Sequence, residues 1–346
     1  MKNKNMSKNK ILNIKPLGFQ WETNDPFLFC VYHADAYPKG NDNMGPDNSL
    51  IGRNIGEDFT LKDGWRMYHG DTVPGFPSHP HRGFETITVT KKGVIDHADS
   101  LGAAGRFGDG DVQWMTAGKG IQHSEMFPLL NKGKENPIEL FQIWLNLPKK
   151  NKFVEPHFSM LWADTIPLLS EKDNNGKSID VNIIVGELKG LKNSAPAPDS
   201  WAADPENEVA IWTIKMESKA KWTLPKAETK VNRTLYFYKG SSLEIDGFTI
   251  QSNYSIEINS EEEITIECGD EDCFALMLQG KPINEPIAKY GPFVMNTHSE
   301  IQEALLDYQK TQFGGWPWSR SDQVHDRSKD SFALHADGKE EFKKKI

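Results

Sequence analysis

The chain has 346 residues, 37% of them hydrophobic, and 49 acidic against 40 basic side chains give it a net charge of −9. That length allows two ordinary domains, and the acidic balance excludes a broad phosphate-binding face and with it direct nucleic-acid binding. No apolar run reaches the roughly 18–20 residues a membrane span needs. 

In chain order, residues 1–20 read as a flexible, polar N-terminal arm. Its start, "MKNKNMSKNK", carries four lysines with no apolar core behind them, so it is not a secretory signal and a cytoplasmic location is expected. Residues 21–160 are rich in Gly, His and short alternating runs. "ETITVTKKGVIDHA" reads as strand, Lys-Gly turn, strand, with Ile87 and Val89 on one face and Thr86, Thr88 and Thr90 on the other. "IELFQIWLNLP" is a further strand closed by Pro148, and "KKNKFVEPHFSMLWADTIP" reads as a connection to a second unit.

Residues 161–295 are again strand-dense, in runs such as "EVAIWTIKM" and "RTLYFYKGSSLEIDGFTIQ" with Gly-marked turns, which indicates a sandwich or barrel. Residues 296–346 hold a helix and a polar tail. Thr297 and Glu300 fit a capping box, Ile301, Leu305 and Tyr308 form an apolar stripe, and Gly314 is expected to end the helix. The tail after Trp318 reads as poorly ordered. The fold class is therefore all-β, two β-domains in tandem with a C-terminal helix. Three cysteines, Cys30, Cys268 and Cys273, are too few for a disulfide framework and read as thiols in a reducing compartment.

The chemistry is concentrated in two short stretches. "FPSHPHRGFETITV" places His79 and His81 two apart, and "MTAGKGIQHSEMFP" does the same with His123 and Glu125. Residues i and i+2 of a strand share a face, so two such pairs on separate strands can converge on one ion. Three imidazoles and a carboxylate suit a divalent first-row transition metal, and an octahedral ion so held keeps two positions open. The bland alternative is a pair of loop histidines and an unrelated polar pair. The aromatic residues Phe76, Phe84, Trp114 and Phe127 flank the motifs and suit either a flat substrate or core packing. One of His33, His69 and His97 is expected to line the cavity. Between His157 and His298 there is no histidine, which points to one metal per chain, in the N-terminal domain.

"HPHRGFET" with "GDVQWMTAGKGIQHSEM", supported by "GPDNSLIGRNIGEDF" and "YGPFVMNTHSEIQEALLDYQKTQFG", resembles the pirin family of the cupin superfamily. The resemblance implies a bicupin, two tandem β-barrels of which only the first carries metal, usually iron. It implies the metal ligands His79, His81, His123 and Glu125. The general cupin pattern would place a carboxylate ligand at Glu85, but on an uninterrupted strand that residue lies roughly 13 Å beyond His81. Glu85 is instead expected to orient a ligand imidazole or to pair with Arg82.

Several pirins resemble quercetinases. The activity expected from the resemblance is a metal-dependent quercetin 2,3-dioxygenase type of ring cleavage, with Fe(II) as cofactor and Ni, Mn, Co, Cu or Zn as alternatives. A small aromatic substrate and dioxygen would be its partners, and Glu125 its catalytic base. The rival expectation is a non-catalytic, iron-dependent redox regulator that binds a transcription factor or metabolic enzyme. A monomer is expected in either case.

Overall fold

The computed structural model describes residues 10–193 and 196–344. The described residues are built from strands with one α-helix, His298–Thr311, as the sequence pattern requires. Two compact units share the described residues in alternating segments: 30–165, 196–200 and 285–344 form one, and 10–29, 166–193 and 201–284 form the other. The single cut near residue 160 that composition suggests is thus replaced by repeated crossings.

The unit carrying the histidine motifs has two sheets of antiparallel strands. One runs, edge inward, His157–Leu161, Val112–Thr116, Phe84–Lys92, Asn136–Asn146, Phe27–Tyr37. The other runs Gly75–His81, Ile121–Met126, Val94–Asp99, Ala104–Gly108, Phe332–Leu334, Glu340–Phe342. The chain leaves the second sheet for the first at Gly83, where φ is +88° and a Cβ would collide with the Val294 carbonyl, so only glycine fits. It returns at Gly93, so the strand-turn-strand expected over residues 85–98 is a corner between sheets rather than a hairpin.

Both faces of Phe84–Lys92 are buried, the threonines as fully as Ile87 and Val89. The Thr face therefore lines the space between the two sheets. That space is polar: Thr88 is flanked on neighbouring strands by Gln113 and Gln142.

The other unit has a seven-stranded sheet around Asn232–Lys239, Cys273–Gly280 and Ala210–Met216, with a four-stranded sheet of Lys221–Leu224, Ile264–Cys268, Ser242–Ile245 and Phe248–Gln251. Its interior is apolar, a single cluster including Ile183, Trp212, Ile214, Leu235, Phe237 and Met277.

Five expectations need correction. The described part of the N-terminal arm is not flexible: Ile11–Pro16 forms an edge strand antiparallel to Tyr254–Ile258. The "connection" after Pro148 contains the strand His157–Leu161, paired with Val112–Thr116. The polar tail supplies Phe332–Leu334 and Glu340–Phe342, with Phe332 1% exposed. Cys268 and Cys273 form a disulfide rather than free thiols, because the turn between their strands brings the Cα atoms to 5.9 Å, inside bonding range. Cys30 is free and buried. The capping box of Thr297 and Glu300 is present as read, with Ile301 and Ala304 buried, but the helix closes at Gln312 in a left-handed conformation, two residues before Gly314. No helix among the described residues is long and apolar enough to cross a membrane.

Deleting residues 1–16 removes the Ile11–Pro16 strand and bares the backbone of Tyr254–Ile258 as a new sheet edge. The truncated chain should unfold several degrees below the full chain and aggregate on heating; an unchanged midpoint in a thermal melt would contradict that pairing.

Candidate metal centre

His79 and His81 stand on Gly75–His81, and His123 and Glu125 on its neighbour Ile121–Met126. The pairing is Phe76 with Glu125, then His79 with His123, with a bulge at residues 77–78. That bulge decides the site. Phe76 and His79 are three apart and would face opposite sides of a regular strand; the extra residue turns His79 and His81 to the side of His123 and Glu125. Pro77 sits in the bulge, where its missing N–H costs no ladder bond.

The three imidazoles form a triangle with ring centroids 4.5, 4.8 and 4.9 Å apart. Each offers a nitrogen within 4.8 Å of the others, and among the described residues no other trio of His, Cys, Asp or Glu does so. His79 Nδ1 is 2.8 Å from the Pro77 carbonyl and His81 Nδ1 3.3 Å from the Pro292 carbonyl. A neutral ring that donates through Nδ1 presents Nε2 as a lone pair. His123 is fully buried and, among the described residues, neither of its nitrogens has a hydrogen-bond partner. Burial drives the His123 and His81 rings well below the usual imidazole pKa, with His79 adding to the effect on both and His81 and His97 adding to it on His123, and burial brings His79 to about 4. Three neutral imidazoles with lone pairs converging, one of them wholly unpartnered, are what a divalent cation would satisfy.

Glu125 stands beside this trio rather than within it. Its Oε2 is 3.9 Å from His123 Nε2. Gln142 Nε2 donates to Oε2 at 2.6 Å, while Thr88 Oγ lies 2.7 Å from Glu125 Oε1 and 2.8 Å from Gln142 Oε1. The single hydroxyl proton of Thr88 cannot serve both acceptors. The ring of three side chains is complete when Glu125 is protonated: Glu125 then donates to Thr88, Thr88 to Gln142 and Gln142 back to Glu125. Burial raises the Glu125 pKa, in keeping with that arrangement.

Of the three further histidines, it is His97 that reaches the site. It is the cross-strand partner of Glu125, its ring lies 5.5 Å from that of His123, and its Nε2 faces Asp99 at 3.4 Å. His69 is exposed but packs on Phe76 and, with His97, lowers the His79 pKa, while His33 bonds Tyr68. Phe76 and Phe84 contact His79 and His81, whereas Trp114 and Phe127 are buried in the core.

Glu85 does neither of the things expected of it. Its carboxylate accepts from Trp114 Nε1 at 3.0 Å, Thr116 Oγ at 2.7 Å and Ser200 Oγ at 2.6 Å, away from the imidazoles. Arg82 pairs with Asp307 instead. The reason is parity: Glu85 lies on the face of Phe84–Lys92 opposite to Thr88, beyond the corner at Gly83. Gln142, Thr88 and Trp144 also reach this site, though no motif marks them for it. The sequence does carry a periodic signal, since Gln142 and Trp144 alternate with Phe141, Ile143 and Leu145 in "FQIWL", and Trp144 packs its ring 5.2 Å from His81.

The sequence pattern described as Pirin matches residues 18–145, and that described as the Pirin C-terminal cupin domain matches residues 211–314. A pirin-like protein of Solanum lycopersicum is 35% identical over 272 residues, which are 76% of this chain and 86% of that protein. A Pseudomonas aeruginosa protein provisionally named quercetin 2,3-dioxygenase is 35% identical over 243 residues, 69% of this chain and 80% of its own. The crystal structure of quercetin 2,3-dioxygenase from Acinetobacter baumannii superimposes with a TM-score of 0.69 at 27% identity, covering 88% of this chain and 98% of that one. The chain belongs to the pirin family, and its fold is two cupin barrels in tandem with a C-terminal helix.

Two outcomes follow. Replacing His79, His81 or His123 with Ala should remove most bound metal by elemental analysis, Glu125→Ala should weaken binding, and Glu85→Gln should leave stoichiometry intact; loss of metal in the Glu85 variant alone would reverse the assignment. Glu85 also predicts a pH dependence. Burial raises its pKa from 4.5 to about 7, so the folded chain keeps a proton that the unfolded chain releases. Its contribution to stability is full below pH 4.5 and is lost as pH rises to about 7, about 3 kcal/mol in all. Glu85→Gln should flatten the stability profile between pH 5 and 7; a profile parallel to the parent's would show that Glu85 does not titrate there.

Proposed function

We propose that this pirin-family chain is a metal-dependent dioxygenase that opens flavonol-type rings, a reaction of the quercetin 2,3-dioxygenase kind. The observation that carries the reading is the pairing of three convergent neutral imidazoles with a buried carboxyl whose hydrogen-bond ring closes on protonation. Fe(II), held by His79, His81 and His123 with Glu125 as fourth ligand, would supply Lewis-acid stabilisation of an oxyanion.

The remaining work falls to the chain. A flavonol becomes reactive toward dioxygen once its 3-hydroxyl has lost a proton. Glu125 is the acceptor: buried, beside His123, and with Thr88 and Gln142 ready to hold the protonated form. His97, behind Glu125 and His123 and backed by Asp99, fixes that side of the site. Phe76, Phe84 and Trp144 present aromatic surface next to the imidazoles, which suits a flat ring system. Gln113 adds an amide with neither end partnered and Thr86 an unpartnered hydroxyl, both buried on the interior side of the same sheet. Such groups are satisfied by a hydroxylated ligand or by water. In the reaction one flavonol and one dioxygen give one ring-opened ester and one carbon monoxide, with the proton returned from Glu125 to the product.

Iron-loaded protein given quercetin in air should release carbon monoxide into the headspace and consume dioxygen, and a flavone lacking the 3-hydroxyl should be inert. Glu125→Gln, reloaded with metal, should lose roughly 10²-fold or more of the rate, the range for removing a positioned acid–base group. Carbon monoxide no greater than free iron produces would replace the enzymatic reading with a protein-binding role.

A further inference from the structure

The barrel without histidines has its own polar feature, at one end of an interior that is otherwise apolar. Arg233 and Gln279 are cross-strand partners on Asn232–Lys239 and Cys273–Gly280. They share the inward face with Leu235 and Met277, and are 3% and 6% exposed. Arg233 Nε donates to Gln279 Oε1 at 2.7 Å and Nη1 donates to the Pro225 carbonyl at 2.6 Å, while Gln279 Nε2 donates to the Glu208 carbonyl at 3.0 Å. Among the described residues Nη2 has no partner, and no carboxylate pairs with the guanidinium. Glu208 is near, but its carboxylate is taken by the backbone N–H groups of Glu228 and Thr229 at 3.0 and 2.6 Å and by the Thr229 hydroxyl.

Arg233 borders a cavity of about 570 Å³ whose wall also includes Trp212, Leu188, Val209 and Ala210. Trp212 is 2% exposed and its indole N–H has no partner among the described residues. A buried guanidinium that no carboxylate contacts is costly, with Glu208 offsetting only part of the cost, and the unsatisfied indole donor on the same cavity wall adds to it. Burial lowers the Arg233 pKa to about 10, which still leaves it charged at neutral pH. The other charged groups on the lining, Lys189, Lys192 and Lys226 with Glu187, Asp204 and Glu228, are exposed and Glu208 is half-buried, so Arg233 is the one fully buried charge.

We propose that this cavity is a second binding site, for a small organic carboxylate with an apolar body. The carboxylate meets the free edge of the Arg233 guanidinium and the Trp212 N–H, the planar charge-assisted pairing for which arginine is suited. The body lies against Leu188, Val209, Ala210 and the Trp212 ring. The site lies wholly within one unit and is distinct from the imidazole cluster.

The test is an NMR titration of full-length, zinc-loaded protein with phenylacetate and hexanoate, and with neutral phenylacetamide as the match for the first. The indole N–H signal missing from Trp212→Phe identifies Trp212 among the 10 tryptophans. At least one carboxylate should shift that signal saturably, phenylacetamide should bind at least tenfold more weakly, and Arg233→Gln should weaken carboxylate binding at least tenfold. Trp212→Phe, which keeps the aromatic wall, should weaken it severalfold by calorimetry. The proposal is overturned if neither carboxylate moves the Trp212 signal, if the amide binds as well as the acid, or if a folded Arg233→Gln binds undiminished. Should Arg233→Gln fail to fold, the acid-against-amide comparison in the parent chain decides alone.

Discussion

The cost of burying three imidazoles against one another is the constraint on which the rest of the N-terminal barrel depends. His81 and His123 are removed from water, and each neighbour makes protonation of the next less favourable. Neutral rings still need partners. The carbonyls of Pro77 and Pro292 serve one nitrogen each of His79 and His81, and His123 receives nothing. A fold does not retain such an arrangement for stability, since apolar residues would pack there at no electrostatic cost. A shared cation repays the desolvation of all three rings at once. The bulge that aligns them, the glycine corner at residue 83 and the Arg82–Asp307 pair to the helix all serve to hold that face in place.

The two barrels solve the problem of a filled interior differently. In the C-terminal barrel, alternation gives an apolar lumen broken at one end by Arg233, Gln279 and the Trp212 N–H. In the N-terminal barrel the inward row Thr88, Gln113 and Gln142 makes the lumen polar, and the outward faces of the same strands are buried as well. A lumen with surplus donors and acceptors suits a hydroxylated ligand; one with a lone cation suits an acid. One ancestral architecture can thus present two chemistries through the identity of a few inward positions.

How much of this could be read in the sequence follows from the range of each interaction. The His79–His81 and His123–Glu125 pairs were legible because i, i+2 spacing is local, and so was the Thr297–Glu300 capping box. The strands Ile11–Pro16 and Phe332–Leu334 were not, because such short runs in polar surroundings become strands only through partners more than two hundred residues away. Glu85 was misread because its direction depends on the corner at Gly83, which reverses the parity count that works within a strand. Gln142 and Trp144 were visible as an alternation, but nothing local says which face of Asn136–Asn146 looks onto the imidazoles. The role of Arg233 depends on Gln279, forty-six positions on, and could only be seen once the strands were paired.

Binding of one ion by imidazoles of the N-terminal barrel, with no sulfur ligand, is the proposal on which the chemistry of the site rests. X-ray absorption at the iron edge of reconstituted protein tests it most directly, because imidazole rings and thiolates scatter distinguishably. The expected spectrum carries the scattering signature of three imidazoles with oxygen making up the remainder, reduced to two imidazoles in His81→Ala at whatever occupancy that variant retains. A sulfur scatterer, or a parent spectrum with one imidazole or none, would contradict it.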